Sequence, residues 1–514
     1  MKRRYIPFIL CFTLAAIASC SDSFLEVKPR GTDLEANYYK NETEAYNGLV
    51  AVYDVVGWQS SNYVTRIGAM NAASDDHLAG GGGPNDVSQF QVFSTYTLTP
   101  ASGPQDELWR RNYSGVFRAN VLLQKLTEVP MDESKKKRFI AETKLLRAYF
   151  YFDLVRMFKN VPLFTAPVST SDMYNVLQAP PADIYTQIEK DLQEAIAEPL
   201  LPDQVVIASE GGRVTKGTAY ALLGKVLLYQ QKWGPAATAL KEVNGTPGVA
   251  NTKYGYKLLT NFGDLWKSDP GSKFNTESIM EMSFSSTSAG SWGCVACTEG
   301  NVLNIMVGPR GYKAKTTAAP DYVSGWSFLV VTKDLFDAIH NDPRYLYTIA
   351  NLDSLEKNGI AEYEKGFNNT GYFLEKFAGR VRNQTTGGGA KELNYPQNMY
   401  EIRLADTYLM EAEALVRGGE SGGVGTRSYD LYNAVRARVG LGPLQATIDN
   451  IFKERRLELA GEGHRWFDLV RSGQAAAVLG ARGFVAGKHE VLPIPLLELE
   501  NTKIEQNKEW GGTK

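Results

Sequence analysis

Residues 215–243 read T-K-G-T-A-Y-A-L-L-G-K-V-L-L-Y-Q-Q-K-W-G-P-A-A-T-A-L-K-E-V. This stretch constrains the fold more than any other. Tyr220, Leu223 and Leu227 recur three and four residues apart, which places them on one helical face, and Gly224 stands among them. After a short break, Trp233, Ala236 and Leu240 repeat the pattern. Large side chains fill the groove between two helices, and small ones let the backbones approach. The pattern therefore predicts two antiparallel helices packed on each other. A second pair is predicted over 399–438, where I-R-L-A-D-T-Y-L-M-E-A-E-A-L is followed by a Gly-rich turn at 418–425 and then Y-D-L-Y-N-A-V-R-A-R.

The spacing is that of tetratricopeptide helix pairs, but no uniform 34-residue period runs through the chain. Other helices are predicted from about Glu42 to Val56, from Asp106 to Leu126, and between Pro181 and Pro199. The clearest single helix runs from Asp132 to Phe158, where Phe139, Leu146, Phe150, Leu154 and Phe158 form one apolar stripe before Asn160-Val161-Pro162 stops it. Residues 74–104, 247–330 and 342–396 lack this periodicity and are rich in Gly, Ser, Thr, Asn and aromatics. Long irregular insertions on a helical frame are where function concentrates.

The N-terminus predicts export. Lys2, Arg3 and Arg4 precede an apolar run from about Tyr5 to Ile17, too short to span a membrane comfortably and laid out as a secretory signal. It ends in I-A-S-C at 17–20, the form of a bacterial lipobox, so Cys20 is the expected acylated N-terminal residue of the mature protein. Acyl chains on that cysteine would anchor the protein without a transmembrane helix.

With Cys11 in the signal and Cys20 acylated, the remaining cysteines are Cys294 and Cys297, in W-G-C-V-A-C. A thioredoxin-type pair has Trp directly before the first Cys, whereas Gly293 intervenes here. A four-ligand zinc site would need two more ligands nearby, and His77, His340, His464 and His489 are not paired at suitable spacing. In an oxidising compartment the prediction is a local Cys294–Cys297 disulfide that stiffens the loop carrying Trp292.

The net charge of −2 and a pI near 6.2 argue against a nucleic-acid partner. Glu458, Glu462, His464, Arg465 and Asp468 crowd together in 452–473, but the flanking Gly461 and Gly463 point to a helix–turn–helix held by ion pairs. Asp75, Asp76 and His77 stand before Gly80–Gly83 without the Lys of a phosphate loop or the spaced oxygens of a calcium loop. No metal and no cofactor is expected. The better candidates are Trp292, Tyr312, Tyr322 and Trp326, set among Gly, Ser and Asn. A flat ring removes the C–H face of a sugar from water while neighbouring polar groups satisfy its hydroxyls.

Several segments together resemble the SusD/RagB family of outer-membrane nutrient-binding lipoproteins. They are C-S-D-S-F-L-E-V-K-P-R-G at 20–31, A-E-T-K-L-L-R-A-Y-F-Y-F-D-L-V-R-M-F-K-N-V-P-L at 141–163, the segments 402–415 and 432–441, F-K-E-R-R-L-E-L-A-G-E-G-H-R-W-F-D-L-V-R-S-G at 452–473, and L-P-I-P at 492–495. The resemblance implies a mostly α fold, with tetratricopeptide-like helix pairs forming a scaffold and a loop-rich ligand-binding face. It divides the chain into a signal (1–19), an N-terminal part (20–245) and a C-terminal part carrying the binding insertions (246–514). It implies a non-enzymatic cell-surface lipoprotein that binds oligosaccharides and hands them to a SusC-like TonB-dependent transporter. A peptide-binding protein of the same architecture is the main alternative, and a lipid-anchored glycosidase or a thiol oxidoreductase would be others. The resemblance also adds weight to Trp326, just before the helix expected at 331–339, and brings in Tyr96 and Asp75 as ligand contacts.

Overall fold

The structure, a computed structural model, describes residues 38–58, 63–294, 298–384, 387–500 and 502–512. The expected signal, Cys20 and Cys297 lie outside the described residues.

Twelve of the helices carry the architecture. They are α1 (Glu42–Gly57), α2 (Arg66–Ala73), α3 (Gln105–Lys125), α4 (Glu133–Phe158), α5 (Pro181–Ala197) and α6 (Lys216–Tyr229). They continue with α7 (Trp233–Asn244), α8 (Lys333–Ile339), α9 (Leu404–Arg417), α10 (Arg427–Arg438), α11 (Ile448–Glu458) and α12 (Arg465–Arg471). Their starts are written in the sequence. The Asn41 and Asp132 side chains accept backbone N–H groups at the first turns of α1 and α4, Pro181 opens α5, and Thr215 and Thr218 cap α6 reciprocally.

The scaffold is a succession of packed neighbours: α1 on α3, α3 on α4, α4 on α5, α5 on α6, α6 on α7, α7 on α9, and α9 on α10. This is the expected mostly α, tetratricopeptide-like arrangement. Gly224 sits where α6 meets α7, and a Cβ there would lie 2.4 Å from Leu240 Cγ. The helix α4 departs from its expected single stripe. From Ala141 to Phe158 nearly every residue is buried, because α3 and α5 flank it and α1 and α6 also touch it. Its interior charges are paired: Arg147 donates two hydrogen bonds to Asp191 at 2.8 and 2.7 Å, and Asp153 lies between Arg66 and Arg156.

Short antiparallel strand pairs tie the loop-rich side to this scaffold. β1 (His77–Gly80) pairs with β3 (Phe328–Val331), β2 (Ser278–Met282) with β6 (Met399–Arg403), and β4 (Ile349–Asn351) with β5 (Tyr372–Leu374). The second predicted helix pair therefore begins later than expected. Residues 399–403 are a fully buried strand whose backbone bonds to β2, and the helix starts at Leu404. One apolar core runs through both halves of the chain, from Ala45 to Ile504.

Beside that core lies a buried ionic cluster. Arg403, 1% exposed, reaches Glu277, Glu458 and Glu462, while Lys376 pairs with Glu462 and Arg344 with Glu454 and Glu458. Burial opposes ionisation of Glu458, but the Arg438, Arg403 and Arg344 guanidinium groups override it and hold its pKa well below the usual carboxylate range. The charged run 452–473 is thus internal and paired. It joins the C-terminal helices to the β2–β6 pair and to residues 344 and 376 of the loop-rich segment.

Candidate functional site

Trp326 stands two residues before β3, at a corner built by glycines and hydrogen bonds. Gly325 crosses Gly308 so closely that a Cβ on Gly325 would lie 2.4 Å from the Gly308 backbone. The Trp326 N–H donates to Ile305 O at 2.9 Å, and the Ser327 N–H donates to Gly308 O at 2.8 Å. Ser327 adopts φ +60°, a left-handed conformation unfavourable for a residue with a Cβ. Its surroundings hold it there. Ser327 O accepts from Gly81 N–H at 2.7 Å and Ser327 Oγ accepts from Arg310 N–H at 2.9 Å. A Cβ on Gly80 would lie 2.2 Å from Ser327 O, so Gly80 serves close backbone approach.

Trp326 is the middle ring of three. Its centroid lies 5.9 Å from Trp292 on one side, with the planes tilted by 39°, and 5.9 Å from Tyr63 on the other, tilted by 44°. Trp292 is 52% exposed. The loop that carries it is fastened at its base: Ser285 N–H donates to Glu299 O at 2.7 Å, and Gly290 O accepts from Ala390 N–H and from Asn394 Nδ2, both at 2.9 Å. Cys294, two residues beyond Trp292, is disulfide-bonded, and its N–H closes a turn onto Ser291 O at 3.0 Å.

Polar groups border the three rings. Arg310 Nη2 donates to Trp326 O at 3.1 Å and lies 3.8 Å from Asp86, whose carboxylate accepts Gly82 N–H. The Arg310 and Asp86 side chains are each about one-third exposed or more, at 34% and 40%. The Tyr63 hydroxyl is pushed above the ordinary tyrosine range by partial burial and keeps its proton at neutral pH. Three rings with a charged and hydroxylated rim suit an uncharged ligand with apolar faces and polar edges. No group of three or more His, Cys, Asp or Glu residues able to hold a metal ion occurs among the described residues.

The structure brings Trp292 and Trp326 together and puts four other candidates elsewhere. Tyr96 is 5% exposed at φ +53°, its hydroxyl donates to Ala73 O, and its ring packs on Phe93 and Phe484. Tyr312 and Tyr322, 8% and 7% exposed, meet edge to face at 5.2 Å in a small satellite core with Val330 and Phe373. The Tyr322 hydroxyl donates to Glu375, and Arg380 covers its ring at 4.3 Å. These tyrosines brace the loops and offer no free face. Asp75 receives two hydrogen bonds from Arg465 at 2.8 and 2.9 Å and pairs with Arg456 at 3.3 Å. Burial disfavours its charge, but those guanidinium groups lower its pKa, and it clamps α12 to the 74–77 segment. Tyr63 was not expected. Its only signal in the sequence is an aromatic among polar residues, S-S-N-Y, just before α2.

The chain matches known proteins along nearly its whole length. A family model described as "SusD family" matches residues 276–510, and one described as "Starch-binding associating with outer membrane" matches residues 23–228. A curated SusD-like protein P38 of Formosa agariphila is 26% identical, covering 98% of this chain and 99% of its own length. A solved structure of a laminarin-binding SusD-like protein superposes with a TM-score of 0.87 at 53% identity, covering 91% of this chain and 99% of that one. Surface glycan-binding protein A from Bacteroides thetaiotaomicron, solved in complex with laminarihexaose, superposes with a TM-score of 0.79 at 26% identity, covering 90% and 98%.

Proposed function

The chain belongs to the SusD family, and from that premise we propose that it is a cell-surface lipoprotein that captures laminarin-type oligosaccharides on the Tyr63–Trp326–Trp292 platform. The observation that carries this reading is the three-ring arrangement itself, held by a strained and fully hydrogen-bonded corner and exposed at Trp292. The 53% identity to a laminarin-binding relative supports the choice of glycan.

A sugar ring covers only part of an indole. At about 25 cal/mol per Å² of apolar surface removed from water, each platform ring contributes roughly 1 kcal/mol, so several are needed for useful affinity. The fixed corner at Ser327 lowers the ordering lost on binding. A Cys294–Cys297 disulfide would act the same way at Trp292. Arg310 and Asp86 are the groups placed to meet sugar hydroxyls at the rim.

The protein binds without cleaving its ligand. The acidic residues of 452–473 that resemble a catalytic set are inside and ion-paired, with Glu458 at 0% and Glu462 at 4% exposure. The membrane attachment is an acyl group on Cys20, the cysteine that closes I-A-S-C at 17–20; no described helix is long and apolar enough to cross a bilayer. The bound glycan is delivered to a SusC-like TonB-dependent transporter.

Isothermal titration against a glycan panel tests this reading. Laminarin and laminarihexaose are expected to bind, and Trp326→Ala to weaken that binding by about five- to tenfold. Binding of peptides in place of every glycan would overturn it, as would release of new reducing ends from laminarin.

A further inference from the structure

A groove of about 620 Å³ runs along α1. One wall is a stripe on that helix: Tyr46, Val50 and Asp54 recur every four residues and so lie one above another, and Trp58, just past the helix end, continues it with its ring under Arg118. Tyr46 and Val50 are 44% and 46% exposed, which the core does not require of them. The opposite wall comes from Met280–Ser285 with Thr298 and Glu299, and it offers hydroxyl and carboxylate oxygens. Partial burial, and after it the charge of nearby Asp54, raises the Glu299 pKa. The floor is already satisfied internally: Glu281 accepts from Asn398 Nδ2 at 2.7 Å, and Arg213 pairs with Glu142.

The groove adjoins the ring platform. Trp58 lies five residues before Tyr63, which limits their separation to about 18 Å of extended chain. Thr298 touches the loop that carries Trp292, since a Cβ on Gly290 would lie 2.7 Å from it. Exposed Tyr46 and Val50 beside the Asp54–Arg118 ion pair, with Ser285 and Glu299 in the same lining, give the groove both apolar surface and polar oxygens, the combination that suits a polyhydroxylated chain with apolar ring faces. The volume falls within the range of small-ligand sites.

We infer that this groove is a second glycan site, which takes the part of a long oligosaccharide that extends past the Tyr63–Trp326–Trp292 platform. The inference rests on the glycan-binding reading. It makes α1 a determinant of chain length: short ligands use the rings alone, and long ones also cover Tyr46 and hydrogen-bond to Glu299.

The test is titration of laminaritriose and of polymeric laminarin into the wild-type protein and its Tyr46→Ala, Glu299→Ala and Trp326→Ala variants. Tyr46 and Glu299 are exposed, and unchanged melting temperatures will confirm that these variants fold. Each is expected to weaken laminarin binding by about five- to tenfold, the effect of one partly covered surface or one hydrogen bond, and to leave laminaritriose unchanged. Trp326→Ala is expected to weaken both ligands. Tyr46→Ala and Glu299→Ala variants that bind laminarin like the wild type overturn the groove while leaving the platform standing. A wild-type protein that binds neither ligand overturns both.

Discussion

Burial separates the aromatic residues of this protein into two groups that look alike in the sequence. Trp292, Tyr312, Tyr322 and Trp326 all stand among small and polar residues. Only the two tryptophans reach the platform, because Tyr312 and Tyr322 are drawn onto Val330 and Phe373 and their hydroxyls find acceptors in Pro320 and Glu375. Local composition marks a loop as aromatic-rich, but long-range packing decides which rings face water. Trp292→Ala is therefore expected to weaken glycan binding by roughly tenfold, from about 1–1.5 kcal/mol of lost contact, without lowering the melting temperature. Titration and a thermal melt on the same sample check both halves.

His77, on β1, carries a pH signature. It is fully buried, Nδ1 bonds to Leu329 O at 2.9 Å, and burial pushes its pKa down to about 4. In the unfolded chain it titrates near 6.5, so between pH 6.5 and 4 the unfolded state holds a proton that the native state lacks. Stability from this group is complete above pH 6.5 and falls by about 3 kcal/mol as pH drops to 4. His77→Gln is expected to flatten that part of a stability–pH curve measured by urea denaturation, and an unchanged slope would refute the assignment.

At the scale of elements, the helices were the legible part. The sequence placed α1 from about Glu42, α4 from Asp132 and α5 from Pro181, each to within a residue or two, and Gly224 meets Leu240 as a small residue at a helix crossing should. The strand pairs were not legible. They are two to five residues long and join segments far apart in the chain, such as 77–80 with 328–331, so their partners cannot be read from local sequence. For the same reason the platform's third ring was missed, since Tyr63 meets Trp326 only once α2 and β3 are placed.

The crossing of Gly308 and Gly325 sets where Trp326 points. Gly325→Ala is expected to displace that ring and reduce glycan affinity by at least as much as Trp292→Ala, although no aromatic is removed. Near-wild-type affinity in this variant would show that the corner tolerates a side chain. The ionic cluster gives a contrasting prediction. Glu458→Gln leaves Arg403, Arg344 and Arg438 short of a buried counter-charge and is expected to destabilise the fold by about 3–5 kcal/mol in chemical denaturation.

At the scale of the whole molecule, a helical scaffold with one continuous core presents loops that end in a ring platform. The ordinary charge balance of the chain already argued against a nucleic-acid partner. The scaffold and the binding face are joined through the buried pairs of Arg403 and the strands β2 and β6. Rigid support of this kind suits the proposed role of holding a glycan on fixed rings. The loops around the platform take their conformation from glycines and backbone hydrogen bonds spread over 80–83, 308–311 and 325–327. The most direct test is a titration of laminarihexaose into the wild-type protein and the Trp326→Ala variant under identical conditions. Saturable binding by the wild type that is weakened about five- to tenfold in the variant is the predicted result, and equal binding by the two proteins would contradict the platform.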